Sequence, residues 1–545
     1  MKDEGVFVVE RLGELTSYSS QWLNKTIIDY LDEAITRTPN KTAIIDSKSR
    51  YTYKMLGSVV DRVALGLLDL GIKKGDVISI QLPNWNEFVI LHYAASKIGA
   101  ITNPLVPIYR ERELTYMIKE VGAKLLVIPD CFRGHDYIEM VEKCLKEWPE
   151  LENVVVVGNS LPIPEEMKSF ASLVTSIDSQ EKRRNELLNI EIDPNEVTEI
   201  IFTSGTTGLP KGVMHTHNTL CITSHYWIDH LQLTNEDVLF MASTFAHQTG
   251  FAYGVRLPTQ YGGTAIYQDT WNPDAFLKLI ETENVTFTAG ATPFLKDTIA
   301  AAKKRTADIS SLKYFIALGA PIPRNLVKQA EKVVSFKILA GWGQTENGLV
   351  TLTKRNDSIQ KLTETDGVAF TGMEVKVVNQ QLETCQAGEE GNIYCRGPAL
   401  FRGYYKQIEK TQSEFDQDWF ITGDRGVMDE DGYLRITGRN KDIIIRGGEN
   451  IPVSYIENVL YEYELINDVQ VVAMPDERLQ EKACAFIQLK QRDTTFTLSM
   501  LQQFLLKKGV AKQYWPEHFV LLDEFPRTAS GKIQKFKLRE SLLKN

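Results

Sequence analysis

Long uninterrupted runs of one residue class are missing from this sequence. No basic run is longer than Lys303-Lys304-Arg305, so nothing in the sequence favours a nucleic-acid partner. No apolar run approaches the roughly 20 residues that a membrane-spanning helix needs. The first residues, MKDEGVFVVERLGE, are acidic and contain no apolar core of a signal peptide. The sequence therefore predicts a cytoplasmic protein without a transmembrane segment, and it leaves transient contact with a membrane surface open.

Clustered metal-ligating residues are missing as well. The six cysteines are scattered with no Cys-x-x-Cys spacing, which argues against a disulfide framework or a cysteine-rich metal site and fits a reducing compartment. His215 and His217 have no third ligand at the spacing of a zinc site, so no zinc site is predicted. The sequence also contains no internal repeat and no low-complexity tract.

The composition is that of an ordinary globular protein. Of the 545 residues, 43% are apolar and 24% are charged, and the formal net charge is −10. A single hydrophobic core does not serve a chain of this length, so about two to four domains are expected.

Helical and strand-like segments alternate over the first part of the chain. Apolar residues recur at helical spacing in Thr26–Ile35 and Ser58–Gly71. Short β-rich runs lie between the helical stretches, at Val77–Leu82, Leu125–Pro129 and Val154–Gly158. This alternation predicts an α/β fold built on parallel sheet.

The pattern changes near Glu374. The segments EVKVVN, GNIYCRG and GYLRITGR are typical of strands joined by glycine-bearing turns, which predicts a β-rich subdomain at about residues 370–440. Helix and strand resume after GRNKDIII, and a C-terminal domain over residues 441–545 has a normal size for an independent unit. Residues 1–440 are then expected to form the N-terminal domain.

Residues 201–217, IFTSGTTGLPKGVMHTH, contain a loop suited to an anion. Gly205 and Gly208 allow the backbone to curl its N–H groups around a phosphate. Lys211 adds a charge, and hydroxyl groups come from Thr203, Ser204, Thr206 and Thr207. The spacing is not that of a GxxxxGK[ST] P-loop. IIF before the loop is expected to be a strand and VMHTHNTL after it a helix, which favours a phosphate site over a plain surface turn.

Five motifs, in this order, resemble the signatures of the adenylate-forming superfamily of acyl-CoA synthetases, adenylation domains and beetle luciferase. They are TSGTTGLPKG (203–212), GWGQTE (341–346), TGD (422–424), TGRNKDIIIRGGENI (437–451) and PRTASGKIQKFKLR (526–539). The likeness runs from about Asn24 to the end of the chain. It implies a large, multi-layered N-terminal AMP-binding domain, in which two α/β subdomains join the β-rich one, and a small mobile α+β C-terminal domain that carries the catalytic lysine.

The resemblance implies a two-step reaction that uses ATP, Mg²⁺ and CoA. A carboxylate attacks the α-phosphate of ATP to give acyl-AMP and pyrophosphate, and a thiol then attacks the acyl carbonyl and expels AMP. Because the first step brings an anion to a polyanion, positioning and positive charge must carry most of the catalysis. The matched positions make Lys532 the first-step catalytic cation, Thr345 a contact of the α-phosphate, and Glu346 the Mg²⁺ ligand.

The same resemblance implies the nucleotide contacts. The loop at 203–212 would hold the β- and γ-phosphates, Trp342 would stack on adenine, and Asp424 would accept from the ribose hydroxyls. Arg439 would make a second ribose or phosphate contact. The implied binding residues are Thr203, Ser204, Gly205, Thr206, Thr207, Gly208, Lys211, Gly319, Ala320, Pro321, Gly341, Trp342, Gly343, Gln344, Thr345, Asp424, Ile436, Arg439, Gly447 and Gly448.

Lys441 matches the hinge position of the superfamily. The C-terminal domain is expected to swing about it after adenylation, so that Lys532 leaves and the loop with Gly447 and Gly448 arrives to line a tunnel for the thiol. His247 resembles the aromatic-or-histidine gate of the acyl pocket and completes the predicted catalytic set.

The expected acyl pocket is apolar. Relatives that activate amino acids carry an Asp after the aromatic residue of this segment, whereas Phe245 is followed here by Ala246 and His247. The predicted lining consists of Phe245, Gly250, Phe251, Tyr253, Gly254 and Ala289–Phe294. Phrases such as QLPNWNEF and WPEH look most like bacterial short- and medium-chain fatty-acyl-CoA ligases, with alicyclic- and aryl-acid ligases as alternatives.

Two further classes are weighed against a CoA ligase. An enzyme that loads a carrier protein would share every ATP motif, and because no carrier domain follows Lys532 its carrier is expected to be a separate protein. A non-enzymatic nucleotide-binding protein is expected to have lost Lys532, Glu346 or Asp424, and all three are present. The sequence therefore predicts an AMP-forming carboxylic acid:CoA ligase.

Overall fold

The structure, a computed structural model, describes residues 16–543 with gaps. The gaps are residues 204–209, 305–306, 320–321, 323, 331–332, 443, 447–448, 452, 477–479, 493, 511 and 529–530. The predicted site residues that lie outside the described ones are Ser204, Gly205, Thr206, Thr207, Gly208, Ala320, Pro321, Gly447 and Gly448.

The strands before and after the predicted phosphate loop belong to a sheet with parallel strands at its centre. In spatial order its described strands are Lys211–Thr216, Val197–Thr203, Ile101–Pro104, Val77–Ile80, Leu125–Pro129, Asn153–Val157 and Lys168–Ser169. Apart from the first, which is antiparallel to its neighbour, they pair in parallel. The strands Val77–Ile80 and Leu125–Pro129 are buried on both faces, as expected where helices cover a parallel sheet. The predicted parallel sheet is confirmed.

A second large sheet contains Gly341 and the strand that ends just before Gly319. Its described strands are, in spatial order, Val368–Ala369, Gly348–Leu352, Lys337–Gln344, Tyr314–Ala317, Phe287–Gly290, Val238–Met241, Thr264–Tyr267, Thr42–Ile45 and Arg50–Thr52. The strands from Lys337–Gln344 to Thr42–Ile45 are parallel. Their carboxyl ends therefore meet at one edge, which is where open α/β sheets bind ligands.

Two smaller sheets follow along the chain. The first is antiparallel and contains Glu374–Val378, Glu390–Arg396, Phe415–Asp416, Trp419–Met428 and Leu434–Arg439. The second, here called the C-terminal sheet, contains Ile444–Arg446, Glu449–Ile451, Ile466–Asp476, Gln480–Leu489 and His518–Leu521. A short ribbon joins Cys131–Phe132 and His135–Asp136. The three β-rich segments after Glu374 are confirmed as strands.

Helices cover the sheets. The α-helices are Ile27–Arg37, Tyr53–Asp69, Asn86–Ile98, Glu111–Val121, Tyr137–Cys144, Phe170–Leu173, Ile177–Lys182, Arg184–Leu188, His217–Leu231, Leu257–Tyr261, Pro273–Glu283, Thr292–Lys304, Arg324–Ala330, Ile359–Glu364, Ile408–Ser413, Val453–Leu460, Leu498–Lys507 and Lys535–Leu543. Thr249–Arg256 is a π-helix, and 3-10 turns occur at Thr16–Gln21, Leu145–Glu147, Asn440–Asp442 and Lys512–Tyr514. Over the described part of the chain, no helix is long and apolar enough to cross a membrane.

The segment after the phosphate loop differs from the prediction. Lys211–Thr216 forms a buried strand that pairs with Val197–Thr203, and the helix begins only at His217. Thr216 caps that helix, because its hydroxyl oxygen accepts from the backbone N–H of Thr219 at 3.2 Å. The loop thus joins two antiparallel strands. Helical spacing alone missed this hairpin because strand pairing is set by a partner outside the segment.

The C-terminal sheet has its own apolar core. Ile444, Ile456, Val469, Ala485 and Leu501 are fully buried together there, while the two large sheets share a separate and much larger cluster of buried residues. The predicted α/β class, with a large N-terminal part and a smaller C-terminal part, is confirmed.

Candidate active site

The predicted catalytic lysine reaches a glycine that follows the strand Tyr314–Ala317 of the second large sheet. Lys532 follows Gly531, whose φ of +83° suits the tight turn before it. Gly319 has a φ of +77°, and a Cβ built on it would stand 3.1 Å from Lys532 Cε. The positive φ favours glycine at position 319, and a side chain there would also press against the lysine.

His247 lies in the same centre. Burial lowers the pKa of His247 to about 3, and the charge of Lys532 adds to this shift. The imidazole is therefore neutral at physiological pH. The structure thus brings together three predicted residues, Gly319, Lys532 and His247, from distant parts of the sequence.

Asp424 is the centre of a buried polar cluster. It is 3% exposed, and its Oδ2 accepts from Trp342 Nε1 at 2.7 Å and from Gln344 Nε2 at 2.9 Å. Arg439, directly opposite in the antiparallel pairing, places Nε 2.7 Å from Asp424 Oδ1. This ion pair raises the pKa of Arg439. The four residues matched to adenine and ribose contacts are therefore held in one network.

Glu346 and Lys211 both contact the side chain of Tyr404. Tyr404 donates its hydroxyl to Glu346 Oε1 at 3.0 Å, and Lys211 Nζ lies 4.1 Å from the centre of the Tyr404 ring. Lys211 Nζ is also 3.6 Å from Glu414 Oε1. Burial and the charge of Glu346 raise the pKa of Tyr404, so the phenol stays a donor. Tyr404 thus fixes the carboxylate beside the base of the phosphate loop.

The donor set at Glu346 fits Mg²⁺. This ion usually takes one or two carboxylates and completes its shell with phosphate oxygens and water. Glu346 is half-buried, and one of its oxygens is oriented by Tyr404. Glu346 is the residue that would hold the ion against the phosphates.

The other predicted nucleotide contacts that the structure describes lie on strands of three different sheets or directly after one. Thr345 is anchored through its carbonyl oxygen, 2.7 Å from His215 Nε2. Burial lowers the pKa of His215 to about 4, so this histidine donates as a neutral ring. Ile436 donates its backbone N–H to Asp366 Oδ2 at 2.8 Å. Gly341 and Gly343 pair with Leu352 and Leu349 of the adjacent strand, and Thr203 ends the strand that leads into the loop.

The predicted acyl-pocket segment forms the π-helix Thr249–Arg256. Tyr253 accepts from the backbone N–H of Leu349 at 2.7 Å and stacks on Trp227 with 4.3 Å between ring centres. Phe245 and Phe251 are fully buried and pack on Phe88. Gly250 lies so close to the backbone of Thr244 that a side chain would collide with it. Its missing side chain therefore allows the π-helix to pack closely against Thr244.

A charged cluster behind this helix was not predicted. Arg256 is completely buried and donates to His92 Nε2 at 3.0 Å and to His217 Nδ1 at 3.3 Å. Glu199 is also completely buried, and burial raises its pKa to about 8 against the opposing effects of Arg256 and Gln248. The signal for it was a lone arginine in the apolar run from Gly250 to Pro258, since a buried charge needs partners. Tyr404 gave no such signal.

Comparison with known proteins identifies the family. Residues 31–405 match the model described as AMP-binding enzyme. The chain belongs to the AMP-binding enzyme family. A second match, to the AMP-binding enzyme C-terminal domain, covers residues 455–532 and so ends on Lys532. Lys211, Gly319, Trp342 and Glu346 lie within the first match, whereas Asp424 and Arg439 lie between the two matched regions.

Individual members of the AMP-binding enzyme family align over nearly the whole chain. A medium-chain fatty-acid–CoA ligase of Escherichia coli is 36% identical over 96% of this chain and 91% of its own. A putative acyl-CoA synthetase of Bacillus subtilis is 32% identical over 96% of this chain and 98% of its own. The crystal structure of an anthranilate CoA ligase with anthranoyl-AMP superposes with a TM-score of 0.86 at 24% identity, covering 96% and 98% of the two chains. This last likeness concerns the fold.

Proposed function

We propose that the protein is an ATP-dependent, AMP-forming carboxylic acid:CoA ligase. The observation that carries the proposal is the approach of Lys532 to Gly319 and His247. In this proposal, Lys532 is the cation that the C-terminal region contributes to the same site as the Asp424 and Glu346 clusters. Such a site can hold a nucleotide and still place one mobile charge at the reacting atoms.

The first step joins the acid to AMP. A carboxylate oxygen of the substrate forms a bond to the α-phosphorus of ATP, the bond from that phosphorus to the bridging oxygen breaks, and pyrophosphate leaves with the electron pair. The ammonium of Lys532 bridges the carboxylate and the α-phosphate and offsets their repulsion. Asp424 and Trp342 hold the nucleoside, and Lys211 lies beside the phosphates. Bound Mg²⁺ supplies further neutralisation of the phosphate charge.

The second step transfers the acyl group. The thiol sulfur of CoA, as thiolate, bonds to the acyl carbonyl carbon, and AMP leaves with the electrons of the carbon–oxygen bond. In this proposal the C-terminal region, residues 441–545, turns about Lys441 so that Lys532 leaves and Gly447 and Gly448 approach. Neutral His247 stays at the acyl side and adds no positive charge there.

The substrate is proposed to be a short- or medium-chain fatty acid. The E. coli relative supports this chain class, and the buried rings around the π-helix provide an apolar environment in which each buried CH₂ is worth about 0.8 kcal/mol. Alicyclic and aryl acids are the alternative substrates, and a separate carrier protein is the alternative acceptor. We place the enzyme in the cytoplasm with small molecules as its partners.

One assay tests the whole proposal. The protein is incubated with ATP, Mg²⁺ and acids from butyrate to palmitate, together with cyclohexanecarboxylate and benzoate, with and without CoA. We expect AMP and acyl-CoA with CoA present, and enzyme-bound acyl-AMP without it. Acyl-AMP that never transfers to CoA would favour the carrier protein, whereas ADP as product, or no turnover with any acid, would refute the proposal.

A further inference from the structure

A buried carboxylate links the C-terminal sheet to the turn that carries Lys532. Asp468 is 5% exposed, accepts a hydrogen bond from the hydroxyl of Tyr461, and pairs with Arg527 Nη2 at 2.5 Å. A carboxylate this deeply buried is costly unless it is paired, so its two partners hold it in one orientation.

Arg527 connects Asp468 to the turn that carries Lys532, here called the lysine turn (residues 527–532). Its Nη1 donates to the carbonyl of Gly531 at 3.0 Å. Within the same turn, the Thr528 N–H donates to the Lys532 carbonyl at 2.7 Å and the Lys532 N–H donates to Thr528 Oγ1 at 3.1 Å. The backbone on both sides of Lys532 is therefore fixed relative to Asp468.

Lys296 approaches the same carboxylate from the N-terminal part of the chain. It lies on the helix Thr292–Lys304, with Nζ 3.9 Å from Asp468 Oδ1 and 3.3 Å from the carbonyl of Asn467. The ammonium also lies 4.7 Å from the centre of the Tyr461 ring. Burial lowers the pKa of Lys296, which the charge of Asp468 opposes. Lys296 is therefore a partly desolvated cation that contacts the C-terminal region at Asp468, Asn467 and Tyr461.

The helix that carries Lys296 also touches the lysine turn at its first residues. A Cβ on Gly531 would lie 3.6 Å from Pro293 Cγ. This helix thus meets the C-terminal region at two points, one at the turn itself and one at Asp468. Both contacts exist in the arrangement that places Lys532 against Gly319.

We propose that Lys296, Asp468 and Arg527 form a clasp that positions Lys532 for the adenylation step. The inference rests on the proposed function and assigns these residues to one of its two half-reactions. Lys296 holds the C-terminal sheet against the N-terminal part. Because Asp468 binds Arg527, and Arg527 binds the backbone of the lysine turn, this contact also fixes the position of that turn. The thiol step uses another placement of the C-terminal region, so it does not depend on Lys296.

The test is Lys296→Met, which keeps the apolar stem and removes the charge. Acyl-AMP formation is followed by pyrophosphate release without CoA, and the thiol step by CoA attack on pre-formed acyl-AMP. Because small displacements of a catalytic group cost up to about 100-fold in rate, we expect adenylation to fall about 10- to 100-fold while the thiol step changes less than about 2-fold. Lys296→Arg should restore most of the adenylation rate.

Lys303→Met is the matched control, since Lys303 lies on the same helix and is exposed. It should behave as the unmodified protein in both half-reactions. Equal loss of both half-reactions in Lys296→Met, or no loss of adenylation, would overturn the clasp. If the unmodified protein forms no acyl-AMP at all, the proposed function fails, and that result is distinct from failure of the clasp.

Discussion

At the scale of the residue, the side chain of Lys532 is expected to serve one of the two half-reactions and not the other. Lys532→Ala removes the ammonium that lies beside Gly319 and lowers the pKa of His247. We expect acyl-AMP formation to fall about 100-fold or more, because charge at the reacting phosphate carries this step. CoA attack on supplied acyl-AMP should stay within about 3-fold, since a cation beside the α-phosphate is not required there.

Lys537→Ala is the comparison for that experiment. Lys537 is exposed on the helix Lys535–Leu543, so its loss tests the general effect of removing a positive charge near the C-terminus. A parallel decline of both half-reactions in Lys532→Ala would mean that this lysine supports the fold of the turn instead of the chemistry.

Tyr404 controls Glu346 by a single hydrogen bond. Tyr404→Phe keeps the ring beside Lys211 and removes the hydroxyl that donates to Glu346 Oε1 at 3.0 Å. Since partners that orient a metal ligand typically contribute 10- to 100-fold in affinity, we expect the Mg²⁺ concentration for half-maximal adenylation to rise about 10-fold. Tyr405→Phe should leave it unchanged. A lower rate with the same Mg²⁺ dependence would contradict the assignment of Glu346.

At the scale of the element, local signals predicted much of the fold. The β-rich runs at Val77–Leu82 and Leu125–Pro129 became buried parallel strands because their apolar residues occupy both faces. The phosphate loop was expected before a helix, yet Lys211–Thr216 is a strand first. Its register with Val197–Thr203 is a property of two segments, and periodicity within one segment does not contain it.

The candidate site was also predicted only where the signal lies within one short segment of the sequence. Motif likeness supplied Lys532, Asp424 and Glu346, because these positions are recognisable within short stretches of sequence. Tyr404 and Asp468 were missed since their roles depend on neighbours about 60 residues away, Glu346 and Arg527 respectively. Long-range hydrogen bonds between ordinary residue types leave no pattern in a single sequence.

The cluster behind the π-helix makes stability depend on pH. An unfolded glutamate releases its proton near pH 4.3, whereas folded Glu199 keeps it up to about pH 8. Between these values the unfolded chain binds fewer protons, so the contribution of Glu199 to the free energy of unfolding falls as pH rises. The slope is at most about 1.4 kcal/mol per pH unit.

Glu199→Gln removes this titration while keeping the shape of the side chain. We expect the free energy of unfolding of the variant, minus that of the unmodified protein, to increase between about pH 5 and pH 8, as measured by denaturant unfolding. Glu191→Gln changes an exposed carboxylate nearby and should give a flat difference. If the free energy of unfolding depends on pH in the same way for Glu199→Gln and for the unmodified protein, the Glu199 carboxyl is ionised in the folded state as well.

At the scale of the whole molecule, the turn Asn440–Asp442 lies between two anchored points. Before it, Arg439 is paired at 2.7 Å with Asp424, a predicted nucleotide contact. Within it, Asp442 Oδ1 accepts from Arg539 Nη2 of the last helix at 2.7 Å. A rotation of the C-terminal region that leaves both pairs intact has to occur in the backbone between them, where Lys441 stands.

Lys441→Pro tests that requirement. Proline fixes φ near −65° and removes the backbone N–H, so it restricts rotation at this one position. If the arrangement with Lys532 at Gly319 tolerates this φ, acyl-AMP formation should stay within about 3-fold, while thioester formation should fall about 10-fold or more because the second arrangement is not reached. Lys441→Ala removes the same side chain without fixing φ and should retain both steps. If Lys441→Pro loses adenylation while Lys441→Ala keeps both steps, the turn itself shapes the first arrangement. If Lys441→Pro forms thioester at the rate of the unmodified protein, the pivot lies elsewhere in the chain.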